Sequence, residues 1–123
     1  MNASRPQPAA ATGSEARRRP RRTPVNTVEV IDSMTDRILG QLGNVSESGM
    51  LLLANTPLME DALYQVRFNL NGSASHQGLV EVGVHLLWQE HASATGKAWA
   101  GFRFINLPEP GRQTLRDWLT RTA

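Results

Sequence analysis

Six short runs of alternating apolar residues, closed by one amphipathic helical stripe, predict a mainly β domain. The expected architecture is a six-stranded antiparallel β-barrel with a C-terminal α-helix and a disordered N-terminal arm. Three observations carry it. The runs are separated by turn residues with no helical pattern between them, which points to antiparallel pairing. Of the 123 residues, the first 25 show no periodicity, so the foldable part is large enough for one small core only. A closed barrel removes the exposed edges that an open sheet of this size would carry.

The elements follow in chain order. Met1 to Ser14 is rich in Pro, Ala and Ser and cannot bury enough apolar surface to offset its ordering entropy, so it reads as disordered. Arg17-Arg18-Arg19-Pro20-Arg21-Arg22 follows; Pro20 and Pro24 hold this arm extended. The strands are expected at Thr27–Ile31, Arg37–Gly43, Met50–Ala54, Tyr64–Leu70, Val80–Trp88 and Lys97–Ile105. Met50 to Leu53 is continuously apolar, as in a strand covered on both faces. Val80, Val82, Val84, Leu86 and Trp88 form the longest alternating face. Gly101 marks a bend or a close backbone approach. Pro108-Glu109-Pro110 opens the helix, with proline in its first turn, and Leu115, Trp118 and Leu119 make the stripe that docks on an open end or side of the barrel. The division is thus a tail over 1–16 and a domain over 17–123, made of an arm (17–25), a barrel (26–107) and a helix (108–121).

Composition excludes several functions. With no cysteine there is no disulfide or thiolate metal site. The three histidines, at 76, 85 and 91, have no ligand spacing and no acidic cluster beside them, so no metal is expected. No carboxylate pair, nucleophile elbow or G-x-G-x-x-G is present, and the chain does not read as an enzyme. No apolar run approaches a membrane span, and the polar start lacks the apolar core of a secretory signal; a cytoplasmic protein without membrane insertion is expected. Residues 1–25 hold six Arg and one Glu, a charge of +5, which leaves −3 on residues 26–123. A basic arm on an acidic body suggests a local anion site, not a surface for long nucleic acid.

Two motifs remain. Asn44-Val45-Ser46-Glu47-Ser48-Gly49 reads as a polar turn between two strands, in which Asn and Ser side chains bond the local backbone or face a ligand. The arginine run reads as a solvated arm or as an anion-binding one. An R-x-x-x-R, then some 20 residues on an N-x-S-x-x-G between strands, then an all-β domain, resembles the PilZ domain family. Thr23-Pro24-Val25 after the arm, Met50-Leu51-Leu52 after the turn, Trp88 at a strand end and Gly101-Phe102-Arg103-Phe104 as closing strand extend the resemblance from Arg17 to about Leu119.

The resemblance implies a six-stranded barrel that binds cyclic di-GMP through Arg18, Arg22, Asn44, Ser46 and Gly49, with Arg17, Arg19, Arg21 and Trp88 as secondary contacts. Arg17 and Arg21 satisfy the same spacing; Arg18 and Arg22 are preferred because Pro24-Val25 then follows after one spacer. Guanidinium groups fork onto phosphate or guanine O6 and N7 and stack on bases, which suits this ligand. Trp88 either lies beside a base or packs in the core. Gly49 is expected to permit a turn conformation that a Cβ disfavours. An arginine just before the motif, here Arg17, implies a stacked pair of ligands. The function implied is that of a single-domain receptor, without cofactor, that signals through an unidentified effector protein. The alternatives are a PilZ-like adaptor that binds no nucleotide and docks a pilus or motility protein, and a general nucleic-acid binder.

Overall fold

The computed structural model describes residues 20–72, 77–92 and 95–121. The expected tail over 1–16 and Arg17, Arg18 and Arg19 lie outside them.

The strands are β1 (Glu29–Asp32), β2 (Arg37–Val45), β3 (Gly49–Ala54), β4 (Leu63–Asn69), β5 (Leu79–His91) and β6 (Ala98–Asn106), followed by helix α1 (Gly111–Thr120). They close into an antiparallel barrel in the order β1-β2-β3-β6-β5-β4. Closure rests on β1 pairing with β4 at Ile31↔Arg67 and Asp32↔Val66.

Period-two patterning builds the interior. Val66 and Phe68 of β4, Val80, Val82 and Val84 of β5, and Leu52 of β3 are almost wholly buried. β-Branched residues suit this pleated, one-sided burial. Helix α1 packs on β5, seating Leu115 and Trp118 in the core. Gly111 faces the β5 backbone at Val80 and Glu81 with ordinary van der Waals room for a Cβ. The stripe expected from the Leu115, Trp118 and Leu119 spacing therefore faces the barrel core.

Four details depart from the sequence expectations. β2 runs on to Val45, so the turn is shorter than expected. Leu51 and Leu53 are only half-buried; they lie on the barrel's outer face, so β3 is not fully covered on both sides. In β5 a register shift between Leu86 and Trp88 sets Trp88 opposite Gly101. A bulge adds one residue and reverses the facing beyond it, so Trp88 leaves the Val80–Leu86 core face and lies outside. Finally, the prolines precede the helix. Pro110 is its N-cap residue, and the first-turn amide of Gln113 takes Glu109 Oε1 as acceptor at 3.2 Å.

Candidate functional site

The polar turn comprises Ser46, Glu47 and Ser48, because Asn44 and Val45 still belong to β2. A register shift between Leu42 and Asn44 leaves Gly43 out of the ladder and sets Asn44 opposite Leu51 on the outer face. Ser46 is fully buried. Its amide donates to Gly49 O at 2.9 Å, and its hydroxyl accepts from the Ser48 amide at 3.2 Å. The side chain thus locks the turn whether or not it also meets a ligand. Gly49 is required for a reason other than the expected one. It opens β3 opposite Arg103, and a Cβ there would collide with the Phe102 carbonyl of β6. Close strand approach demands the glycine, not a left-handed turn.

The arm reaches this turn. Arg22 pairs with Val45 in an antiparallel bridge, its amide donating to Val45 O at 2.9 Å and its carbonyl accepting from Val45 N at 3.0 Å. Successive side chains of an extended segment point to opposite sides, which separates the two arginines. Arg21 Nε donates to Asn44 Oδ1 at 2.6 Å and its Nη1 donates to Ser46 Oγ at 3.4 Å. Desolvation against the turn lowers the Arg21 pKa from its ordinary value, yet an arginine remains charged at any physiological pH. Arg22 turns the other way. Its guanidinium lies 4.2 Å from the centroid of the Trp118 ring, donates to Trp118 O and reaches Arg121 O at 3.2 Å. A cation at the carbonyl end of a helix complements its dipole. Of the preferred pair Arg18 and Arg22, then, the described member holds α1, and Arg21 is the one placed on Asn44 and Ser46.

Registers across four strands define the outer surface beside the turn. Asn44 faces Leu51, Leu51 faces Gly101 and Gly101 faces Trp88. A Cβ on Gly101 would run into the Trp88 indole, so the ring lies against the sheet, half-buried on the same row as Asn44. Trp99 and Arg103 flank Gly101 on the outward side of β6. The Trp99 ring reaches across β3, with Cζ3 3.2 Å from where a Gly43 Cβ would sit. Glu47 in the turn accepts from Arg116 Nε of α1 at 3.4 Å. The surface therefore offers guanidinium groups, a side-chain amide and two indoles around small residues, chemistry suited to a flat, anionic ligand.

Trp99, Arg103 and Trp118 were not singled out for the site by sequence. Alternation along β6 carried the signal for the first two, since Trp99, Gly101 and Arg103 share the side opposite Phe102. Nothing local links Trp118 to Arg22. Among the described residues no group of three or more His, Cys, Asp or Glu could hold a metal ion. His85 Nε2 lies 2.5 Å from Asp61 Oδ1, and His76 falls outside the described residues.

A sequence model of the PilZ domain matches residues 16–121. No curated protein matches the sequence. Solved structures share the fold, among them the following three. The PilZ domain of Escherichia coli YcgR with c-di-GMP aligns with a TM-score of 0.57 and 19% identity, over 83% of this chain and 87% of that one. The K. pneumonia MrkH–c-di-GMP complex gives 0.63 and 14%, over 83% and 50%. The Bacillus subtilis inhibitor of motility MotI/DgrA gives 0.64 and 11%, over 82% and 47%. This chain spans half the length of MrkH and a little less than half that of MotI/DgrA.

Proposed function

The chain belongs to the PilZ domain family, and from that premise we propose that it is a receptor for cyclic di-GMP that signals through a partner protein. The observation that carries this reading is Arg21 bonded to Asn44 and Ser46. It joins the arginine arm to the N-x-S-x-x-G turn on an outer face that also bears Trp88. The YcgR domain and MrkH, which share the fold, were solved with this ligand.

In the proposed complex Arg18 and Arg22, aided by Arg17, Arg19 and Arg21, meet the phosphates and guanine edges. Asn44, Ser46 and Gly49 form the facing wall, and Trp88 lies beside a base. Five arginines exceed the need of two phosphates, which favours a stacked pair of ligands. In this reading the domain acts as a receptor and not as an enzyme, in the cytoplasm.

Output follows from a competition for one side chain. A ligand phosphate competes with the Trp118 ring and with the carbonyls of Trp118 and Arg121 for the Arg22 guanidinium. A ligand that takes it withdraws the cation from the end of α1, so binding and helix docking share a differential free energy. The partner then recognises the altered arm and helix end.

Isothermal titration with cyclic di-GMP tests the receptor reading. Saturable binding is expected with Kd below about 100 μM, some 5.5 kcal/mol. No saturation in that range would favour the adaptor that docks a pilus or motility protein without nucleotide.

A further inference from the structure

We propose that Arg103 is a further anion-binding residue of this site, the counter-charge on the β6 side for a phosphate whose other side is met by the arm. The proposal rests on the cyclic di-GMP reading and assigns a residue outside both motifs.

Arg103 stands directly across from Gly49, the last residue of the N-x-S-x-x-G turn. Its position there is fixed. β6 is bonded on both sides, to β3 and to β5, and the next residue ties it to the turn, Phe104 N donating to Ser48 O at 2.8 Å. The side chain is exposed and points outward with Gly101 and Trp99. Its cross-strand neighbours are Gly49 and His85, neither a carboxylate. It makes no hydrogen bond or ion pair among the described residues. Other arginines of the barrel and helix do find acids: Arg67 with Asp36, Arg112 with Glu109 and Arg116 with Glu47. Arg37, Arg103 and Arg121 find no acid among the described residues, and of these Arg103 is the one directly across from the turn that the arm also reaches.

The geometry suits an anion between two cations. Asn44, which holds Arg21, is on β2; Gly49 is on β3; Arg103 is on β6. Two strand spacings, about 10 Å, separate the outer two, and long arginine side chains can converge from both edges. The floor between them is Leu51 and Gly49, bordered by the Trp88 indole over Gly101 and the Trp99 ring at Gly43. A guanidinium on a rigid central strand loses less freedom on binding than one on an arm.

The test titrates cyclic di-GMP into the full chain and into Arg103→Gln, Arg103→Lys and Arg37→Gln. Arg37 is the control: its side chain also lacks an ion pair among the described residues, but it lies at the start of β2, away from the turn. Arg103→Gln should weaken binding tenfold or more, Arg103→Lys by less, and Arg37→Gln by less than twofold, with all thermal midpoints unchanged. Parent-like affinity in Arg103→Gln, or equal losses in Arg103→Gln and Arg37→Gln, would overturn the proposal while leaving the receptor reading intact. A parent chain that binds no cyclic di-GMP would overturn both.

Discussion

Arg21 and Arg22 are neighbours in sequence and opposite in task. Arg22→Ala removes a stacked cation from Trp118 and a donor from the helix end, so it should cost about 1–2 kcal/mol of stability in the free protein. Arg21→Ala, which removes side-chain contacts to Asn44 and Ser46 but no core packing, should cost less, about 0.5 kcal/mol. Urea unfolding of both variants checks the contrast. Both should weaken cyclic di-GMP, and an Arg22 variant within twofold of the parent would remove it from the site. Gly49→Val should be the harsher change, because the obstacle is the Phe102 backbone carbonyl and cannot swing aside; a loss of about 1–3 kcal/mol is expected from overpacking alone. These roles were unequally legible. Residue type and order pointed to Asn44, Ser46 and Gly49. The reason for Gly49 was not readable, since the atom it must avoid lies on another strand. Nor was the split between Arg21 and Arg22, which depends on which carbonyl the arm pairs with.

At the scale of elements, α1 is the part most exposed to change. Trp118→Ala should destabilise by about 3–5 kcal/mol through the cavity it leaves, and retention of full stability would contradict the docked helix. If ligand takes Arg22, amides near residues 117–121 should exchange faster with hydrogen isotopes on binding, while those of 44–51 slow. Unchanged exchange at 117–121 would rule out the competition. Strand positions were legible within a residue or two because burial on one face imposes period two, except that β5 runs three residues past Trp88 to His91, and the apolar stripe revealed the helix. The bulge in β5 was not legible. Its flanking residues, Leu86, Leu87 and Trp88, are all apolar, so alternation could not say where the facing reverses. That one residue of slippage decides that Trp88 belongs to the outer face and not to the core.

For the whole molecule, a folded-state ligand stabilises by mass action. At a ligand concentration 100 times Kd the gain is about 2.7 kcal/mol, which should raise the thermal midpoint on the order of 10 °C. Arm variants should lose most of that shift. A shift retained after the arm arginines are replaced would place the ligand elsewhere. The single-barrel architecture was legible as a whole because so few ways exist to bury six half-apolar strands without edges. How that barrel closes has its own consequence. β1 and β4 share two residue pairs, against seven for β4–β5 and eight for β5–β6, with Ser33 N donating to Gln65 O and Arg67 pairing Asp36 just beyond. The ring therefore has a short clasp, and native-state breathing should begin there, with amides of 31–33 losing protection before those of 100–104. In the order β1-β2-β3-β6-β5-β4 the β3–β6 seam lies diametrically opposite. The face that carries Gly49, Gly101 and Arg103 should stay assembled while the far side of the barrel opens and recloses.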